Sequence, residues 1–179
     1  MTSWGRLSPL KKIQNPMSAS PLPVRPVREP LEKEPFMAKM IFVNLPVSDL
    51  ARATAFYESI GAVKNAQFCD DTASCMVFSD TIYAMLLTHE KFMQFSPKKI
   101  ADTKTSCEVL ICVSADSRAE VDDLVGKAER AGGGVDPCPK QDYGFMYGRS
   151  FEDPDGHIWE VMWMDMAAAN ASQPATADA

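Results

Sequence analysis

The sequence predicts an α+β domain in which one βαβββ unit is followed by a second. Three observations predict it. The apolar period switches from strand-like to helix-like and back in the same order at two places, each helical stretch runs into glycine, and aligning Val47 with Val113 sets the units 66 residues apart. With 179 residues, 46% hydrophobic and 23% charged, the chain suffices for one sizeable core, which excludes disorder throughout.

Residues 1–36 hold seven of the 13 prolines and six basic against three acidic residues, a charge of +3 that leaves −9 for the remainder. Proline lacks the backbone donor and restricts its predecessor, so this stretch is expected to be a disordered arm before a domain over 37–166. The Ala/Ser/Pro-containing stretch over 167–179 is expected to be a disordered tail.

MIFVNLPV, residues 40–47, is short and β-rich. Ser48 is the expected N-cap of a helix whose apolar stripe is Leu50, Ala53, Tyr57 and Ile60, with Gly61 as the stop. Three β-prone runs follow near 65–70, 74–79 and 82–88, completing a module over about 39–90. The polar stretch with THEKFMQF, Lys98, Lys99 and Lys104 reads as a linker; its lysine pair is solvated or attracts an anionic substrate.

The second module, about 105–166, opens with CEVLICVS. Ser117 and Glu120 form a capping box, Val121, Leu124, Val125 and Ala128 the apolar stripe, and Gly132 to Gly134 the stop. Runs near 134–138, 144–151 and 157–164 complete it, the last two joined by the turn sequence Asp153-Pro154-Asp155-Gly156.

The formal charge of −6 excludes a generic nucleic-acid binder and disfavours an acidic membrane surface, and no apolar run approaches the roughly 20 residues of a bilayer span. Five cysteines without a CxxC pair read as reduced thiols, so the expected location is the cytoplasm. Only His89 and His157 are available as imidazole ligands.

NLPVSDLARATAFYESIGA in the first unit and FEDPDGHIWEV in the second resemble the vicinal oxygen chelate superfamily, over residues 39 to about 166. That superfamily includes glyoxalase I, extradiol dioxygenases, fosfomycin-resistance enzymes and metal-free bleomycin-resistance proteins. The resemblance implies paired βαβββ modules that form a curved mixed sheet around a cleft, metal ligands on the first and last strand of each module, and a homodimer. In this chain those ligand positions fall on Phe42, Leu86, Glu108 and Glu160, so two of the four are apolar.

Strand alternation places Glu160 with Ile158 and Met162, opposite Trp159, Val161 and Trp163. The same counting groups Glu108 with Leu110 and Cys112, so the two glutamates are expected to converge in the cleft. With Asn44 and water they would suit a divalent metal (Mn, Mg, Zn or Fe), and Glu160 would be the catalytic base. Without a metal, two close carboxylates would share a proton, or Glu160 would pair with Arg149. Phe42, Asn44, Leu86 and Tyr147 are the expected small-molecule contacts, although parity alone leaves the face of Tyr147 open. The leading expectation is a small-molecule-binding protein with an incomplete metal site. Its alternative is a metal-dependent glyoxalase-type lyase or isomerase, or a dioxygenase, using Glu108 and Glu160.

Overall fold

The computed structural model describes residues 39–171, so the expected arm over 1–36 and the stretch 172–179 lie outside the described residues. The first module runs β1 (Ile41–Val47), α1 (Leu50–Ser59), β2 (Val63–Lys64), β3 (Ala73–Val77) and β4 (Ile82–Thr88). A short helix, α2 (His89–Met93), leaves β4. The second module runs β5 (Leu110–Ser114), α3 (Arg118–Arg130), β6 (Gly134–Val135), β7 (Gln141–Asp142), β8 (Met146–Glu152) and β9 (Ile158–Met164). Helix α4 (Met166–Ala171) follows, starting at the last residue of the expected domain and running into the stretch expected as tail.

Both modules order their strands alike, β1-β4-β3-β2 and β5-β9-β8-β6, with first and last strands parallel and the others antiparallel. These are the paired βαβββ modules and mixed sheets that the sequence predicts. β1 and β5 are therefore edge strands of their sheets.

Local chemistry explains the boundaries. Asp49 rather than Ser48 caps α1, accepting from the Arg52 N–H at 3.0 Å, while the Ser48 N–H donates to Asp155 at 2.8 Å. Gly61 and Gly132 stop their helices at φ +107° and +89°, a conformation that costs other residues a steric clash. The Ser117 hydroxyl accepts from the Glu120 N–H, and the Glu120 carboxylate reaches back to the Asp116 N–H, one residue beyond the expected cap. The run near 65–70 is not a strand. Asn65 accepts from the Gln67 N–H and starts a 3-10 turn over Ala66–Phe68, so the two-residue β2 is the strand that pairs with β3 on the side away from β4.

Both helices cover the same face of the sheets and share one core. Leu45, Val47, Met76, Ala84 and Leu86 from the first sheet join Phe151, Trp159 and Val161 from the second, against Phe56 and Tyr57 of α1 and Val121 and Val125 of α3. Trp159 stacks on Phe78 at 5.0 Å, carrying the second module onto the first. The Tyr57 hydroxyl closes this seam: it donates to Asp153 Oδ2 at 2.7 Å and accepts from Trp159 Nε1 at 3.0 Å. Burial and the neighbouring Asp153 charge hold the phenol protonated well above its ordinary pKa. Among the described residues, no helix is long and apolar enough to cross a membrane.

Removing that hydroxyl strands a buried carboxylate oxygen and a buried indole N–H together. Tyr57→Phe should lower the free energy of urea unfolding by about 2 to 4 kcal/mol, since each unpartnered group costs about 1–3 kcal/mol. A loss below about 0.5 kcal/mol would show that the two partners find other hydrogen bonds.

Candidate functional site

The seam ends where the Asp153-Pro154-Asp155-Gly156 turn meets the end of β1. Gly156, at φ +92°, donates its N–H to the Asp153 carbonyl at 3.0 Å and closes the turn. Asp153 Oδ1 accepts the N–H groups of Asp155 and His157. Burial pushes the Asp153 carboxyl above the ordinary range, against the lowering pull of the His157 charge and the Tyr57 hydrogen bond.

His157 is 1% exposed and lies between two acceptors. Glu108 Oε1 is 2.6 Å from Nδ1, and the Pro46 carbonyl is 2.9 Å from Nε2. A neutral imidazole donates through one nitrogen only, so this arrangement calls for the imidazolium, paired with the Glu108 carboxylate. Burial alone lowers the pKa of the ring, but the Asp153 charge, the Glu108 hydrogen bond and the Pro46 acceptor outweigh it and hold the value above the ordinary one.

On the face away from the helices, register pairs Phe42 with Tyr83, Asn44 with Met85 and Pro46 with Leu87. Phe42 stacks on Tyr83 with centroids 4.7 Å apart. Beside them, a cavity of about 440 Å3 is lined by Asn44, Leu87, Phe92, Phe95 and Ser96. A second, of about 260 Å3, shares Asn44, Phe92 and Ser96 and extends along β1 to Lys98, Ile100 and Glu108. The Asn44 side chain makes no hydrogen bond to any described residue.

On the second sheet, Glu160 stands in register between Cys112 and Ser150, in a recess of about 60 Å3 that Cys138 also lines. Burial first, then the Glu160 charge, pushes the Cys112 thiol up.

The sequence profile of the Glyoxalase/Bleomycin resistance protein/Dioxygenase superfamily matches residues 39–161. The chain belongs to this superfamily. No curated protein matches it. A hypothetical protein, SA1046, from S. aureus is 26% identical, with 71% of this chain and 94% of that one covered and a TM-score of 0.59. A glyoxalase/bleomycin resistance protein/dioxygenase family enzyme from Burkholderia phytofirmans PsJN is 20% identical, with 72% and 100% covered and a TM-score of 0.58. The fosfomycin resistance protein FosX from Listeria monocytogenes is 18% identical, with 73% and 94% covered and a TM-score of 0.52.

Within this superfamily fold, the four expected metal positions do not assemble a donor set. Phe42 lies on the open face, but Leu86 is fully buried among the helices, because β4 turns Met85 and Leu87 outward in register with Asn44 and Pro46. Glu108 precedes β5 and is held by His157, so it does not converge with Glu160. Among the described residues, no group of three or more His, Cys, Asp or Glu is placed to hold a metal ion.

Two further placements depart from the sequence expectation. Tyr147 shares the helix side with Arg149 and Phe151; its hydroxyl donates to Asp122 of α3 at 2.9 Å, and Arg118 covers its ring at 4.9 Å. Arg149 pairs with Asp136 and Asp122 rather than Glu160. What the sequence reading passed over is Phe92, Phe95, Ser96 and Ile100, which sit in the stretch treated as linker. Two aromatic residues three apart in THEKFMQF were the available signal.

The raised pKa of His157 has a definite sign. A raised folded value means a contribution fully present below the unfolded value of about 6.5 and lost as pH rises through the folded value. The melting temperature should therefore fall as pH rises above about 6.5, and His157→Asn should flatten that slope while lowering stability at pH 6. Equal slopes in the two proteins would remove the imidazolium from the account.

Proposed function

We propose that the chain binds a small organic molecule against the open face of the first sheet, at Asn44. The observation that carries this is the exposed Asn44 amide, a donor and acceptor with no partner among the described residues, at the wall shared by two cavities, one lined also by Leu87, Phe92 and Phe95 and the other by Phe92 and Ile100. Ligand sites combine apolar walls with a few placed polar groups, and this arrangement has that form. Phe42 and Tyr83 extend the same face. FosX of Listeria monocytogenes, similar in fold, is a fosfomycin resistance protein, a small-molecule role in line with this one.

The metal-dependent lyase, isomerase or dioxygenase using Glu108 and Glu160 finds no support in a geometry that ties Glu108 to His157. We further propose a homodimer, because β1 and β5 are both edge strands and carry exposed Ile41, Phe42 and Leu110. Five free thiols suit a reducing compartment such as the cytoplasm.

A panel of small organic molecules screened by thermal shift should yield binders that raise the melting temperature by mass action. Asn44→Ala and Phe92→Ala should each weaken them, by about tenfold where a hydrogen bond or a ring contact is lost. Binders indifferent to both substitutions would place the site elsewhere. Light scattering should report about twice 19.7 kDa, and a monomer at micromolar concentration would contradict the dimer.

A further inference from the structure

The cavities at Asn44 adjoin a third, of about 500 Å3, which shares Pro46, Ile100 and Thr103 with the second and reaches Arg52, His89 and Lys104. The segment 92–104 thus borders all three, with phenylalanines at one end and basic groups at the other.

The charges facing these cavities are unequal in a way that net charge conceals. The whole chain carries −6, yet Lys98, Lys99 and Lys104 have no ion-pair partner among the described residues. Two of the three carboxylates beside them face a cation of their own. Glu108 faces the His157 imidazolium. Asp155, which lines the third cavity, accepts through Oδ1 from Ser48 and from Arg52 at 3.3 Å, while its buried Oδ2 has no hydrogen-bond partner among the described residues. Asp102 holds its own turn, accepting from the Lys104 N–H and the Thr105 hydroxyl. His89 lines the same wall. Three lysines thus stand against the single unpaired charge of Asp102, and the cavities offer an incoming molecule an excess of cation.

We infer that the ligand is an amphipathic organic anion, with its carboxylate, phosphate or sulfonate head beside Lys98 and Lys99 and its apolar body against Phe92 and, in the adjoining cavity, Leu87 and Phe95. The inference rests on the small-molecule reading above and narrows it to a chemical class. Lysine suits the head group because two flexible ammonium groups can follow one anion without fixed geometry. The aromatic walls supply the remaining contact through burial of apolar area.

Two probes with one apolar body separate the ideas: 1-anilinonaphthalene-8-sulfonate, an anion, and N-phenyl-1-naphthylamine, which lacks the sulfonate. Titrated into the full chain at low salt, the sulfonate should bind about tenfold more tightly. That preference should shrink with added salt, as for any partly exposed ion contact. In the Lys98→Glu/Lys99→Glu variant it should vanish or reverse, while the neutral probe binds as before. Phe92→Ala should weaken both probes. Equal binding of the two probes, unchanged by charge reversal but weakened by Phe92→Ala, would overturn the anion inference and leave the small-molecule site standing. Binding of neither probe, or binding indifferent to Phe92→Ala, would overturn both. The substituted lysines are exposed, and a melting temperature equal to that of the parent chain confirms that the variant is folded.

Discussion

One buried hydroxyl holds the two modules to a single geometry. Tyr57 belongs to α1 of the first module, while Asp153 and Trp159 belong to the closing hairpin of the second, and the phenol satisfies both at once. A buried indole N–H or carboxylate without a partner is costly, so these three groups favour one docking of hairpin on helix rather than a sliding apolar contact. Trp159 is thereby fixed against Phe78 and Phe151, and the common core follows from it. Apolar area supplies most of the attraction. The polar triad makes the arrangement specific.

The same turn then orders what surrounds the open face. Asp153 fixes the backbone of Asp155 and His157, so that Asp155 meets Ser48 and Arg52 at the entry to α1 while His157 bridges Pro46 and Glu108. The Thr103 hydroxyl donates to the Asp155 carbonyl, which attaches the segment 92–104 to the turn. An added Cβ at Gly156 would meet Thr103 Oγ1 at 2.9 Å, so close approach as well as the positive φ requires glycine there. The walls of the cavities are therefore built on the seam.

Much of this was legible in the sequence because the fold is written in period. Alternation in HIWEVMWM places Trp159 and Val161 in the core with Glu160 opposite, and the structure has them so. Helix stops at Gly61 and Gly132 are readable because positive φ is chemically restrictive. Leu86 was not legible, since a one-residue difference in register decides which face a strand side chain takes, and the neighbouring Leu87 is equally apolar. Tyr147 escaped for a related reason: alternation groups residues but does not say which group meets the helices, and that was settled by Asp122 and Arg118 on α3. The fate of Glu108 was beyond local pattern altogether. Its partner is 49 residues away, and strand alternation says nothing about a residue that precedes its strand.

The position of the candidate site follows from that last point. With Glu108 neutralised by a buried imidazolium, the carboxylate that would have made the junction of the modules acidic contributes little net field, and the unpaired lysines of the segment above it set the local sign. Glu160 remains a solitary carboxylate in a recess of about 60 Å3, far smaller than the roughly 300–1,000 Å3 typical of ligand pockets. The larger cavities instead border β1, where Asn44 presents both donor and acceptor from a rigid strand. The proposed site lies there, on the first module, where Phe92 of α2 and Phe95 after it border the cavities while His157 holds Glu108.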